Sequence, residues 1–109
     1  MPLTNSDRQL LARCIEGQPF AWHSFVDRFI SLTMQVIDQL ALSRSIQISE
    51  QNREELAASF FAEIMRDDFK LLRKFEGKCS LANYMTVVAG RVISSLMQER
   101  LKSESTEAR

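Results

Sequence analysis

The residue types that most often carry chemistry are sparse in this chain and poorly spaced for it. The single histidine, His23, has no cysteine or second histidine near it to complete a metal site, and it falls beside the apolar side of a helical pattern. Cys14 and Cys79 are far apart, belong to no CxxC pair, and read as structural or incidental thiols. There is no glycine-rich phosphate loop, nucleophile elbow or convergent acidic cluster, so an enzyme, a metal centre and a cofactor are not expected. The hydrogen-bonding residues are better organised. At about 100° per residue, Asn83, Thr86, Gly90, Arg91, Ser94 and Gln98 share one stripe of the last predicted helix. They are small or hydrogen-bonding, where a solvated helix usually presents Glu and Lys. Gly90 costs about 1 kcal/mol relative to alanine in mid-helix. Close approach by another backbone would explain it; the alternative is a solvent face that tolerates glycine.

The elements that position this stripe follow from composition and period. With 109 residues, 45% of them hydrophobic, the chain suits one domain with one core. Lys plus Arg and Asp plus Glu each number 14, so no field of one sign steers a polyanion, and any nucleic-acid contact must be local. A signal-like start and an apolar run long enough to span a membrane are both missing, which points to a reduced, cytoplasmic protein. Three glycines, two prolines and no polar/apolar alternation predict an all-α fold, a compact bundle of four main helices.

Ser6 and Gln9 resemble a capping box opening a helix over about 6–16, closed by Gly17. Pro19 suits the first turn of a second helix, about 19–41, with Trp22, Phe25, Val26, Phe29, Ile30, Leu32, Val36, Ile37 and Leu40 on its apolar side. LSRSIQISEQ (42–51) reads as a loop, and Asn52 as the cap of a third helix. Its apolar side is Leu56, Ala57, Phe60, Phe61, Ile64 and Met65; Asp67 and Asp68 interrupt it before Gly77. The last helix runs from a Ser80 cap to about Lys102, with Leu81, Met85, Val88, Ala89, Val92 and Leu96 as its core side and Tyr84 at the flank. The polar SESTEAR ending (103–109) reads as a disordered tail or the start of a linker.

Taken in order, DRQLLARCIEGQPFAWHSFVDRF, REELAASFFAEIM and FEGKCSLANYM resemble region 2 of bacterial RNA polymerase sigma factors, particularly the extracytoplasmic-function type, across about Asp7 to Arg100. The resemblance implies that the third helix docks on the clamp helices of the polymerase largest subunit through Glu54, Glu55, Leu56 and Phe61. It also implies that the loop and last helix bind promoter DNA, capturing unpaired non-template bases of the minus-ten element. Lys78, Ser80 and Asn83 are then candidates for a base and phosphate pocket, Tyr84 for a stacking face, and Arg91 and Gln98 for contacts further along. An anti-sigma factor is a further partner of such proteins. The chain departs from the pattern at Ala58 and Ser59, where many members place glutamine and glutamate, and at SSLMQERLK, where the family has a basic run. The family's second DNA-binding domain is absent, which suggests an excised domain or a single-domain relative. The alternative function is a degenerate sigma-like module that binds protein without reading DNA.

Overall fold

Thr4 opens the first helix. Its backbone is extended and its Oγ1 accepts the Asp7 N–H at 3.2 Å, which starts α1 (Asn5–Ile15) just ahead of the expected Ser6 cap. The computed structural model describes the backbone of residues 4–107 and the side chains of residues 4–100. Beyond the end of α1, Gly17 at φ 73° closes the turn while Gln18 donates its N–H to the Arg13 carbonyl at 3.0 Å.

Pro19 does not enter the next helix. Phe20, left-handed at φ 65° and 84% exposed, separates it from α2 (Ala21–Ser43). The buried side of α2 is Ala21, Phe25, Phe29, Thr33, Val36, Ile37 and Ala41, whereas Trp22, Val26, Ile30, Leu32 and Leu40 are only partly covered. Thr33 is tolerated there because its hydroxyl donates to the Phe29 carbonyl at 2.8 Å.

The loop expected over 42–51 is shorter, since Ser49 rather than Asn52 caps α3 (Glu50–Arg73), its Oγ accepting the Asn52 N–H at 3.1 Å. α3 breaks where the two aspartates fall. Asp67, Asp68 and Phe69 all have positive φ, at 54°, 57° and 60°, a conformation costing about 1–2 kcal/mol per residue. Aspartate tolerates it better than most residues; Phe69 is held by Trp22, with ring centroids 5.6 Å apart. Arg73 clamps the break by donating to the Asp68 carbonyl at 2.7 Å and to its carboxylate at 3.1 Å.

α4 (Leu81–Glu107) begins at the expected Ser80 cap but continues past Lys102, so residues 103–107 of the polar tail are helical; Ala108 and Arg109 lie outside the described residues. Its buried side is Leu81, Met85, Val88, Ala89, Ile93 and Met97, with Val92 and Leu96 half-buried instead of central. Steps of four residues advance the stripe by about 40° each. Because α4 packs against both α2 and α3, that drift keeps the stripe in contact.

The four helices form an all-α globule, as expected. Trp22, Phe25, Phe29, Phe60 and Phe61 build an aromatic centre, with Trp22 stacked on Phe25 at 5.3 Å and edge-on to Phe61 at 6.0 Å. Polar ties set the helix ends: Arg53 grips Asp38 with two bonds of 2.8 and 2.9 Å, and Arg44 donates to the Ser94 hydroxyl. No helix among the described residues is long and apolar enough to cross a membrane.

Candidate nucleic-acid interface

The KFEGKCSLANYM segment (74–85) turns between α3 and α4. Gly77, at φ 78°, makes the reversal, and Ser80 then caps α4 by accepting the Asn83 N–H at 3.1 Å. The turn brings Phe75 back over Tyr84, ring centroids 4.6 Å apart and planes inclined by 34°. The Tyr84 hydroxyl donates to the Leu71 carbonyl at 2.5 Å, and burial raises its pKa above the ordinary value of 10.0. A shallow depression results. Phe75 and Tyr84 form its aromatic lining, and Lys74, Glu76, Lys78 and Cys79 surround them. An aromatic wall beside ammonium groups suits a planar base next to its phosphate.

The expected DNA residues divide on this geometry. Lys78 and Tyr84 line the depression and Ser80 follows it in the turn. Lys78 is exposed and paired with Glu76 at 2.9 Å, and the Ser80 oxygen already serves as a cap. Tyr84 is not an open platform, because one face meets Phe75 and the hydroxyl is bonded; it acts as a fixed wall. Asn83 is exposed one residue away and does not line the depression. Arg91 lines a separate hollow with Glu63, Arg66 and Glu99, and Gln98 is exposed further along. Sequence reading missed Lys74 and Phe75. The Phe-x-Gly signal was present, but Phe75 reads as a turn hydrophobe until Tyr84 is found against it.

The stripe itself is less bare than expected. Among the described residues no other backbone approaches Gly90: beyond its own helix, a Cβ placed there meets nothing within 4 Å. Ser94 is engaged by Arg44, and the Thr86 hydroxyl returns to the Ala82 carbonyl at 2.8 Å.

On α3, Glu54 and Glu55 are exposed, with Glu55 paired to Arg100 at 3.0 Å. Leu56 and Phe61 are not available to a partner. They are 2% and 6% exposed, because α3 must bury this face against α2 and α4. The outward stripe is instead Glu54, Glu55, Ala58, Ala62 and Met65, the last 46% exposed.

The remaining reactive types are accounted for locally. His23 does have a carboxylate neighbour, Asp27 at 3.4 Å one turn on, but both are exposed, and no metal-type cluster exists among the described residues. Cys14 and Cys79 are free thiols. Cys14 is buried, its Sγ donating to the Ala21 carbonyl at 3.4 Å, and burial pushes the thiol up to about 11. Set beside protein-family models, curated proteins and solved structures, the chain matches none.

Proposed function

We propose that this chain is a transcription initiation factor domain that docks on core RNA polymerase and holds an unpaired promoter base of the minus-ten element. The observation that supports it best is the Phe75–Tyr84 wall with Lys74 and Lys78 at its edge, formed by the segment that resembles the sigma-factor loop. The base stacks at the wall, and the lysines hold the adjoining phosphate. Docking uses the exposed Glu54 and Glu55, whose charge suits a basic partner, with Ala58, Ala62 and Met65 supplying the small and apolar contacts. Equal numbers of acidic and basic residues make binding to DNA weak without the polymerase.

A second reading, a polymerase-binding module that does not read DNA, is favoured by the pairing of Lys78 with Glu76. A pull-down with core polymerase followed by crosslinking to a single-stranded promoter fragment tests both. The first reading expects polymerase capture and crosslinks within residues 74–84. Capture with no crosslink from the loop or α4 supports the second, and no capture refutes both.

A further inference from the structure

The connection between α2 and α3 is tied at both ends. Arg44 donates to the Ser94 carbonyl at 3.4 Å and to the Ser94 hydroxyl, which fastens the start of the connection to α4. Ser45 turns the chain at φ 54°, Ile46 gives its N–H to the Ala41 carbonyl at 2.8 Å, and Ser49 caps α3. Between these ties the side chains alternate as in an extended strand, with Ile46 and Ile48 half-buried and Gln47 exposed. Together with Leu56 of α3 and Met97 of α4, both buried, the two isoleucines line a cavity of about 60 Å³. That is room for about four to six water-sized groups. Asn52 and Arg100, both partly exposed, and Gln47 supply its polar lining.

We propose that this cavity binds a short branched-chain carboxylate, its alkyl group among Ile46, Ile48, Leu56 and Met97 and its carboxylate held by Arg100 and Asn52. Arg100 donates through Nη1 to Glu55 at 3.0 Å, while its Nε and Nη2 groups have no partner among the described residues. One edge of the guanidinium fork is thus left for a carboxylate. The Asn52 side-chain amide also makes no hydrogen bond among the described residues; only its backbone N–H is taken, by Ser49. An apolar wall with a few convergent polar groups is the usual make-up of a small-molecule site. The lining carries one charge, which is positive, so an ammonium ligand is disfavoured and a polyanion finds no second cation. An isobutyl group of about four carbons matches the available volume. Because the connection is already tied down, little ordering is needed on binding. The site lies about 20 Å along the α4 axis from Tyr84, at 1.5 Å per residue, and is independent of the nucleic-acid reading.

The test is a titration of the isotope-labelled full chain with isovalerate, followed by amide NMR. Saturable shifts centred on residues 46–56 and 97–100 are expected, with a dissociation constant of roughly 1–10 mM, as about seven non-hydrogen atoms allow. Acetate, which lacks most of the alkyl group, binds at least about 10-fold more weakly. Isoamyl alcohol keeps the alkyl group without the charge and is also weaker by about 10-fold. Arg100→Gln weakens isovalerate binding by about 10-fold, the control Arg8→Gln on α1 leaves it unchanged, and Ile48→Phe fills the cavity and abolishes it. Circular dichroism checks that each variant folds; if Ile48→Phe does not, the acid-against-alcohol comparison on the unaltered chain still decides. No saturable shift up to about 50 mM overturns the site. Equal binding of acid and alcohol, or an undiminished affinity in Arg100→Gln, overturns the carboxylate. Binding of N-acetyl-leucine at least about 10-fold tighter than isovalerate overturns the small acid in favour of a peptide C-terminus. None of these outcomes bears on the polymerase pull-down, which tests the functional reading separately.

Discussion

Gly90→Ala separates the two explanations of a mid-helix glycine. Gly90 lies well inside α4, and beyond the backbone of its own helix the methyl group added by alanine meets no heavy atom within 4 Å. There is thus no steric cost to subtract from the helix-propensity gain of about 0.8–1.0 kcal/mol. Part of that gain comes from the unfolded chain, which has fewer conformations to lose when alanine replaces glycine. The variant is expected to be more stable by about 1 kcal/mol, seen as a higher urea midpoint with an unchanged slope and a Tm higher by about 4–8 °C. Gly90 lines neither the aromatic depression nor the hollows that hold Lys70 and Arg91, so affinity for single-stranded DNA should not change. Equal or lower stability would refute the reasoning, because it would require a contact at Gly90 that the fold does not contain. A loss of DNA affinity in a stabilised variant would restore close approach as the reason for the glycine, with the approaching group belonging to a ligand.

Two further outcomes follow from local geometry. The buried Cys14 thiol is raised from 9.0 to about 11, so the folded state keeps a proton that the unfolded chain releases. Its contribution is complete below about pH 9 and is lost as pH rises toward 11, about 3 kcal/mol in all at ~1.4 kcal/mol per pH unit. Urea melts at about pH 8 and pH 10.5 should show a steeper alkaline loss in the wild type than in Cys14→Ala, and parallel losses would show that Cys14 ionises equally well in the folded chain. Ser80→Ala removes the cap of α4 and should cost about 1 kcal/mol, whereas Ser80→Asp keeps a capping oxygen and stability while placing a negative charge near Lys78. Weaker single-strand binding in a stable Ser80→Asp chain is the expected anisotropy result, and unchanged affinity would place the strand away from this turn.

Local patterns carried most of the helix order. The apolar spacing of Phe25, Phe29 and Ile37 made α2 legible, as did that of Leu56, Phe60 and Ile64 in α3, and Gly17 and Gly77 marked reversals that need positive φ. The Asp67–Asp68 pair marked the break in α3 for the same reason, since its side chains tolerate a left-handed backbone. Caps were less legible. Thr4 and Ser49 bind their helix N–H groups where the residue pattern pointed to Ser6 and Asn52, and such choices turn on the backbone angle at each residue.

The candidate site was legible only where it is continuous in sequence. Residue types and period in the chain by themselves determined an all-helical fold and a turn closed by Ser80, because these depend on neighbours within a few positions. Tertiary structure decided which apolar residues are spare. Leu56 and Phe61 are occupied by the core while Met65 is left outside, a difference set by where α2 and α4 cross α3. It also decided that Phe75 stands against Tyr84 and that Val92 of α4 lines a hollow with Arg66 and Lys70 of α3. Those meetings join the end of one helix to the side of another, and a periodic pattern within either helix contains no term for the distance between them.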